Sequence, residues 1–214
     1  MELPTRIINL LTNPRDEWDA IANEATDITS LYREYIGLLA IIPALCTFIG
    51  LCVVGVRVPF LGVTVRTPMT EGILHLIVWY LFSLASVHLS ALIVEKLAPS
   101  FQSRGDTLQA VKLVGFAATP VWLAGVFSVV PSLSMLSLIA GLYAIYLFYV
   151  GVGVLMQTPA EKALSYMVVA GLVVVVVHIV VFSVAGSVLA VSSATTPSLS
   201  LEDILRESAT AGRI

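Results

Sequence analysis

The chain has 214 residues, 58% of them hydrophobic and 12% charged, with a formal net charge of -3 at pH 7. Ordinary soluble domains carry about 25% charged residues, so this composition excludes a water-solvated globule. The small net charge and the lack of a basic run exclude a nucleic-acid partner.

Five apolar blocks, roughly 35–56, 72–94, 109–130, 133–156 and 163–191, are separated by short polar connections. A helix crosses a hydrocarbon core of ~30 Å with about 20 apolar residues and satisfies its own backbone at that depth. Each block is long enough. The expected fold class is therefore all-α: a polytopic membrane bundle of five transmembrane helices preceded by an amphipathic helix. Residues 1–34 form an N-terminal segment, 35–191 the membrane domain and 192–214 a C-terminal tail. In that tail only 199–207 is weakly amphipathic, too little to order it. The first thirty-odd residues lack the apolar core of a cleavable signal peptide.

In chain order, Leu3-Pro4 and Ile7-Ile8 suggest a short interfacial piece. Asn13 is the expected N-cap of a helix with Pro14 at its first position and acids in the first turn. Trp18, Ile21 and Ala25 share one face of it, opposite Asp16, Asp19, Asn23 and Asp27. An acidic polar face argues against attraction to anionic lipid, so docking onto protein is expected. Pro43 kinks the first span, and Cys46 and Cys52 lie within it. Six positions apart on a helix, they point ~120° from one another and serve packing, not a disulfide. Alternating β-branched residues around Leu61-Gly62 suggest a hairpin.

In the second span Glu71, His75, Trp79, Ser86 and Ser90 fall on one stripe with Ser83 beside it, and Glu71 can pair with His75 four residues on. His88 points away from the stripe, so protein is expected around this helix. A loop broken by Pro99 and Gly105 follows. Pro120 removes a backbone hydrogen bond and bends the third span. Pro131-Ser132 makes a tight turn, so the third and fourth spans are antiparallel neighbours. Tyr143, Tyr146 and Tyr149 step around the fourth span and need hydroxyl partners. Thr158 caps a helix that starts at Pro159. His178, with Gly171 and Ala185 seven residues to either side, indicates a face pressed on another helix with the imidazole bonding across it.

Lysine and arginine near span ends set orientation. One side carries Arg6, Arg15, Arg33, Lys96, Arg104, Lys112 and Lys162, the other Arg57, Arg66, Arg206 and Arg213. The imbalance puts the N-terminus in the cytoplasm and, with five spans, the C-terminus outside. No nucleophile elbow, zinc helix or phosphate-binding loop is present. No catalytic residue, cofactor site or metal site is therefore assigned, and the chain is not expected to be an enzyme.

Several local patterns recur in a joint order. Pro14-x-x-x-Trp18-x-x-Ile21-x-x-Glu24 precedes a proline-containing first span, and Leu97-Ala98-Pro99-x-Phe101 closes the second. Ala110-x-Lys112 and Phe116-x-x-Thr119-Pro120 mark the third, followed by Pro131, Tyr143, Gly151 and Thr158-Pro159-x-Glu161-Lys162-Ala163. This resembles the bacterial inner-membrane branch of the Yip family, named for Ypt/Rab-interacting membrane proteins, over about residues 10–190. The resemblance implies five spans with a cytoplasmic N-terminus. Eukaryotic relatives act in vesicle trafficking and bind prenylated Rab GTPases through an Asp-Leu-Tyr-Gly-Pro motif and a Gly-Tyr pair. The first is absent here and Gly115-Phe116 only approximates the second, so Rab binding is not carried over.

Two functions remain in view. The first is a non-enzymatic scaffold that organises membrane proteins or lipids. Its surface would comprise Trp18, Pro99, Phe101, Pro159 and Lys162, each of which equally suits a capping or docking role. Its partners would be the lipid bilayer and an unidentified membrane or cytoplasmic protein. The second is a small permease or channel, working as a homo-oligomer, with a polar pathway through His178, the Glu71/His75 stripe and the kink at Pro120; His88 completes the candidate intramembrane polar site. A polar cavity reaching His178 favours the permease, and a dry core of Val and Leu the scaffold.

Overall fold

The computed structural model describes residues 2–57 and 64–195. The hairpin tip at Leu61-Gly62 and the tail from residue 196 lie outside the described residues.

Two short helices open the chain: α1 (Leu3–Thr12) and α2 (Pro14–Asn23), with Asn13 between them. Asn13 Nδ2 donates to Asp16 Oδ2 at 2.5 Å and does not cap a backbone amide. The helix α2 ends at Asn23, so Ala25 falls outside it and is exposed. Its buried face consists of Pro14, Glu17, Trp18 and Ile21.

The first span runs from Ile28 to Val54, beginning earlier than the apolar block because Tyr32–Glu34 continue the helix. It comprises α3 (Ile28–Leu31), a π-helical turn at Tyr32–Ile36, α4 (Gly37–Ile49) and a second π-helical turn at Gly50–Val54. Asp27 caps its start by accepting from the Ser30 amide. Gly55, at φ 85°, turns the chain out of the helix, a conformation that costs glycine nothing. β1 (Val56–Arg57) then pairs antiparallel with β2 (Thr64–Val65) in the register Val56↔Val65, the base of the expected hairpin.

The second span is α5 (Met69–Leu97), extended by a 3₁₀ turn at Ala98–Phe101. The third is broken as well as bent. α6 (Thr107–Ala117) stops at Ala118, and α7 (Thr119–Ala124) restarts with Pro120 in its first turn. Proline has no N–H to continue the ladder, and the Val121 and Trp122 amides turn back to the Ala118 carbonyl. A 3₁₀ stretch, Gly125–Val129, completes it. A second one, Pro131–Leu136, leads into α8 (Ser137–Leu155), which packs beside α7 as the tight connection required. α9 (Ala160–Thr195) is the fifth span.

The bundle is thus all-helical with five helices long and apolar enough to cross a membrane. The third span is central, with 72% of its apolar window buried, and the fifth peripheral, at 11%. The fifth is nevertheless the most hydrophobic, so its exposed face is matched to lipid and not to water. On α5 the exposed large apolar side chains run from Met69 to Leu89. That is about 20 residues or ~30 Å of helix, the hydrocarbon thickness. The helices continue beyond this band at the end where α1 and α2 sit, here called the cap end. Close crossings rest on small residues. At Gly125 a Cβ would lie 2.5 Å from Pro43 Cβ, and at Gly115 one would lie 2.8 Å from Ile36 Cδ1.

Candidate functional site: a locked cap and the polar groups of the spans

The cap is built around charges that the sequence scatters over three elements. Arg6 on α1 and Lys112 on α6 are both essentially buried, as is Glu17 on α2. Arg6 Nη1 donates to Glu24 Oε2 at 2.7 Å, and its Nε lies 3.4 Å from Glu17 Oε1. Asn9 Nδ2 donates to the other Glu17 oxygen at 3.0 Å. Lys112 Nζ donates to the carbonyls of Ile21 (2.7 Å) and Glu24 (2.9 Å), which lie at and just beyond the open C-terminal end of α2. A cation there answers the orphan carbonyls and the negative end of the helix dipole. Two cations face two carboxylates, so the cluster is neutral and calls for no further ion.

Apolar contacts seat the same helices. Trp18 is fully buried, edge-on to Phe116 at 6.3 Å between centroids. A Cβ at Gly151 would come within 2.7 Å of the Trp18 ring, so glycine makes room for the indole. The Arg6 guanidinium lies 5.5 Å over the Phe116 ring, whose other neighbour is Tyr35 at 4.3 Å. Tyr35 Oη meets Thr119 Oγ1 at 2.8 Å, and Tyr143 Oη donates to the Leu11 carbonyl at 2.7 Å. The expected docking of the amphipathic helix onto protein is thus what the fold contains. Trp18 belongs to that docking and offers no exposed surface.

The other candidates for a surface gather at the same end. Phe101 stacks on Tyr166 at 4.9 Å, and Tyr166 Oη donates to the Val94 carbonyl at 2.6 Å. Ser103 Oγ donates to Thr158 Oγ1 and Thr158 Oγ1 to the Val152 carbonyl, while the Arg104 amide reaches the Met156 carbonyl. Thr158 therefore staples two connections together and does not cap α9, which starts at Ala160. Pro99 is exposed, and Pro159 and Lys162 are half-exposed beside it.

The intramembrane candidates are brought together in part. His75 does not bond Glu71. It stacks on Trp79 at 5.6 Å, Trp79 stacks on Phe182 of α9 at 4.7 Å, and Phe182 lies 6.0 Å from His178. One aromatic ladder thus joins the two groups that the sequence placed on separate spans. His178 bonds within its own helix, Nδ1 to the Val174 carbonyl at 2.8 Å, and not across to a neighbouring helix among the described residues. His88 Nδ1 meets Tyr32 Oη at 3.3 Å on the opposite side of α5, so that helix is flanked by protein on both polar faces. Pro120 is buried at the break in the third span and belongs to neither group. Ser86 and Ser90 are fully buried with no hydrogen-bond partner, a packing role. The lipid-facing stretch of α5, Met69 to Leu89, carries one charge, Glu71, near its far edge.

Arg6 and Lys112 entered the orientation count and Glu24 and Lys112 the family-like patterns, but the meeting of these residues with Glu17 in one cluster was not foreseen from sequence. A lysine four residues into an apolar block, and two glutamates seven apart on one helix face, were the available signals.

A model of the Yip1 domain matches residues 8–191. The chain is 25% identical over 165 residues to the inner membrane protein YohC of Escherichia coli strain K12, covering 76% of this chain and 84% of that protein. The same figures hold for the inner membrane protein YohC of Escherichia coli O6:H1 strain CFT073. No solved structure matches. With most of its length under the family's model and five helices fit to cross a bilayer, the chain is a membrane protein that belongs to the Yip1 domain family.

Proposed function

We propose that the protein is a non-enzymatic scaffold of the bacterial inner membrane that organises membrane proteins or lipids, with its cap end in the cytoplasm. The observation that carries this reading is the locked cap. Helices α1 and α2 close that end of the bundle through a neutral, buried charge cluster and a fully buried Trp18. Along the lipid-facing stretch of α5, no charge lies between Glu71 and Leu89. Such a body presents a rigid cytoplasmic face, formed by Pro99 and Phe101 on one connection and Pro159 and Lys162 on the other. The stapling of those connections by Ser103, Thr158 and Arg104 holds the face in one shape. The cation excess at the cap end and the relatives' description as inner membrane proteins support the placement.

The permease alternative would use His178 and the Glu71/His75 stripe. Ring stacking between them, with no chain of hydrogen bonds among the described residues, favours the scaffold. The test is in-cell photo-crosslinking from position 99, with lipid-facing Leu172 as control. One reproducible protein or lipid adduct that disappears in Lys162→Glu is expected. Solute flux into proteoliposomes that is lost in His178→Ala would overturn the reading.

A further inference from the structure

The last two spans do not run together. α9 lies along α5, whereas α8 leans on the third span, and the break at Ala117–Ala118 leaves the space between them open. The result is a lateral groove of about 530 Å³, walled by α8 between Leu138 and Phe148 and by α9 between Met167 and Ile179. Its base is formed by Ser83 and by the two alanines at the break. It sits at hydrocarbon depth and is mostly apolar, with His178 on its wall.

Two observations identify what it takes. First, Gly141 on one wall and Gly171 on the other have nothing within 4 Å of a would-be Cβ, so no protein atom fills the groove at either position. Second, the Val174 carbonyl can only accept, so His178 Nδ1 carries the proton. In the neutral ring Nε2 is then an acceptor, and it has no partner among the described residues. No charged side chain lines the groove to match a phosphate.

We propose that this groove binds a neutral lipid bearing a hydroxyl group, such as a long-chain alcohol, whose O–H donates to His178 Nε2. The charge-free wall rejects phospholipid headgroups, and the hydroxyl is the donor that an otherwise unpartnered acceptor within a bilayer requires. The site goes beyond the scaffold reading and stands or falls independently of the cytoplasmic face.

The test uses the full chain in nanodiscs of phosphatidylethanolamine and phosphatidylglycerol, with diazirine-bearing hexadecanol and its methyl ether as probes. The alcohol should label 138–148 and 167–179 about five-fold more than the ether, the factor expected for one hydrogen bond inside a bilayer. His178→Ala should bring the alcohol down to the ether's level, and His178→Gln, which keeps an acceptor, should recover it. Gly171→Leu, whose side chain enters open space, should abolish both labels while the size-exclusion profile stays unchanged. Equal labelling by the two probes, or labelling indifferent to His178→Ala and Gly171→Leu, overturns the proposal. So does a wild-type dimer that excludes both probes and becomes monomeric in Gly171→Leu, which would make a second copy the occupant.

Discussion

Lys112 holds the cap, and replacing it with methionine measures how firmly. Its ammonium donates to two carbonyls at the end of α2, at 2.7 and 2.9 Å, and is 1% exposed. A hydrogen bond from a charged group contributes ~1.5–3 kcal/mol, so Lys112→Met removes about 3 kcal/mol at the low end. It also leaves Glu17 and Glu24 with Arg6 as their sole close cation. Methionine keeps most of the stem volume, so the loss falls on the polar contacts and not on packing. If α1 and α2 open as a unit, that loss raises the open population roughly 150-fold, since ~1.4 kcal/mol is a factor of ten. Hydrogen exchange of the α2 amides in nanodiscs should accelerate by that factor while α4, α5 and α9 stay protected. Arg33→Ala, which removes an exposed ion pair with Glu34, should change nothing measurable. Unchanged exchange in α2 would refute the lock. Equal acceleration in every span would refute the idea that the cap opens separately from the bundle.

Gly151→Leu should displace the Trp18 ring, because even a Cβ there lies within 2.7–2.8 Å of it. With Trp79 and Trp122 replaced by phenylalanine, the remaining indole emission should shift to the red, and an unshifted spectrum would contradict the packing. Ser86→Ala and Ser90→Ala should leave thermal stability equal or slightly raised, since both hydroxyls are buried without a partner and such burial costs ~1–3 kcal/mol. A clear fall in melting temperature for either would mean that the hydroxyl has a partner. The Asp27 carboxyl lies below the usual aspartate range, chiefly through its hydrogen bond with Ser30, with partial opposition from burial. A depressed folded value means that its contribution is complete above the unfolded pKa of ~3.9 and is lost as pH falls through the lower one. The Ser30 amide resonance should therefore titrate with a midpoint below ~3.9 and lose that step in Asp27→Asn.

The solvent and the architecture can be read along the chain. Span number, span length and the all-helical class follow from bilayer thickness and the need to satisfy every backbone amide locally, and both are one-dimensional constraints. The docking of α2 was legible for the same reason, since Trp18 and Ile21 share a helix face while the opposite face is acidic. Partner choice was not legible. Arg6, Glu17, Glu24 and Lys112 meet only because α1 and α2 fold back over α6, and positions 6 and 112 carry no mark of one another along the chain. His75 and His178 were both noticeable, but a period of 3.6 residues gives only the face of a single helix. That Trp79 and Phe182 stack between them, and that Glu71 is left out, depends on how α5 and α9 cross. The groove beside His178 is the clearest case. An empty space has no residues of its own, so it arises from the divergence of α8 and α9 around a break in the third span, which depends on how the helices pack in three dimensions.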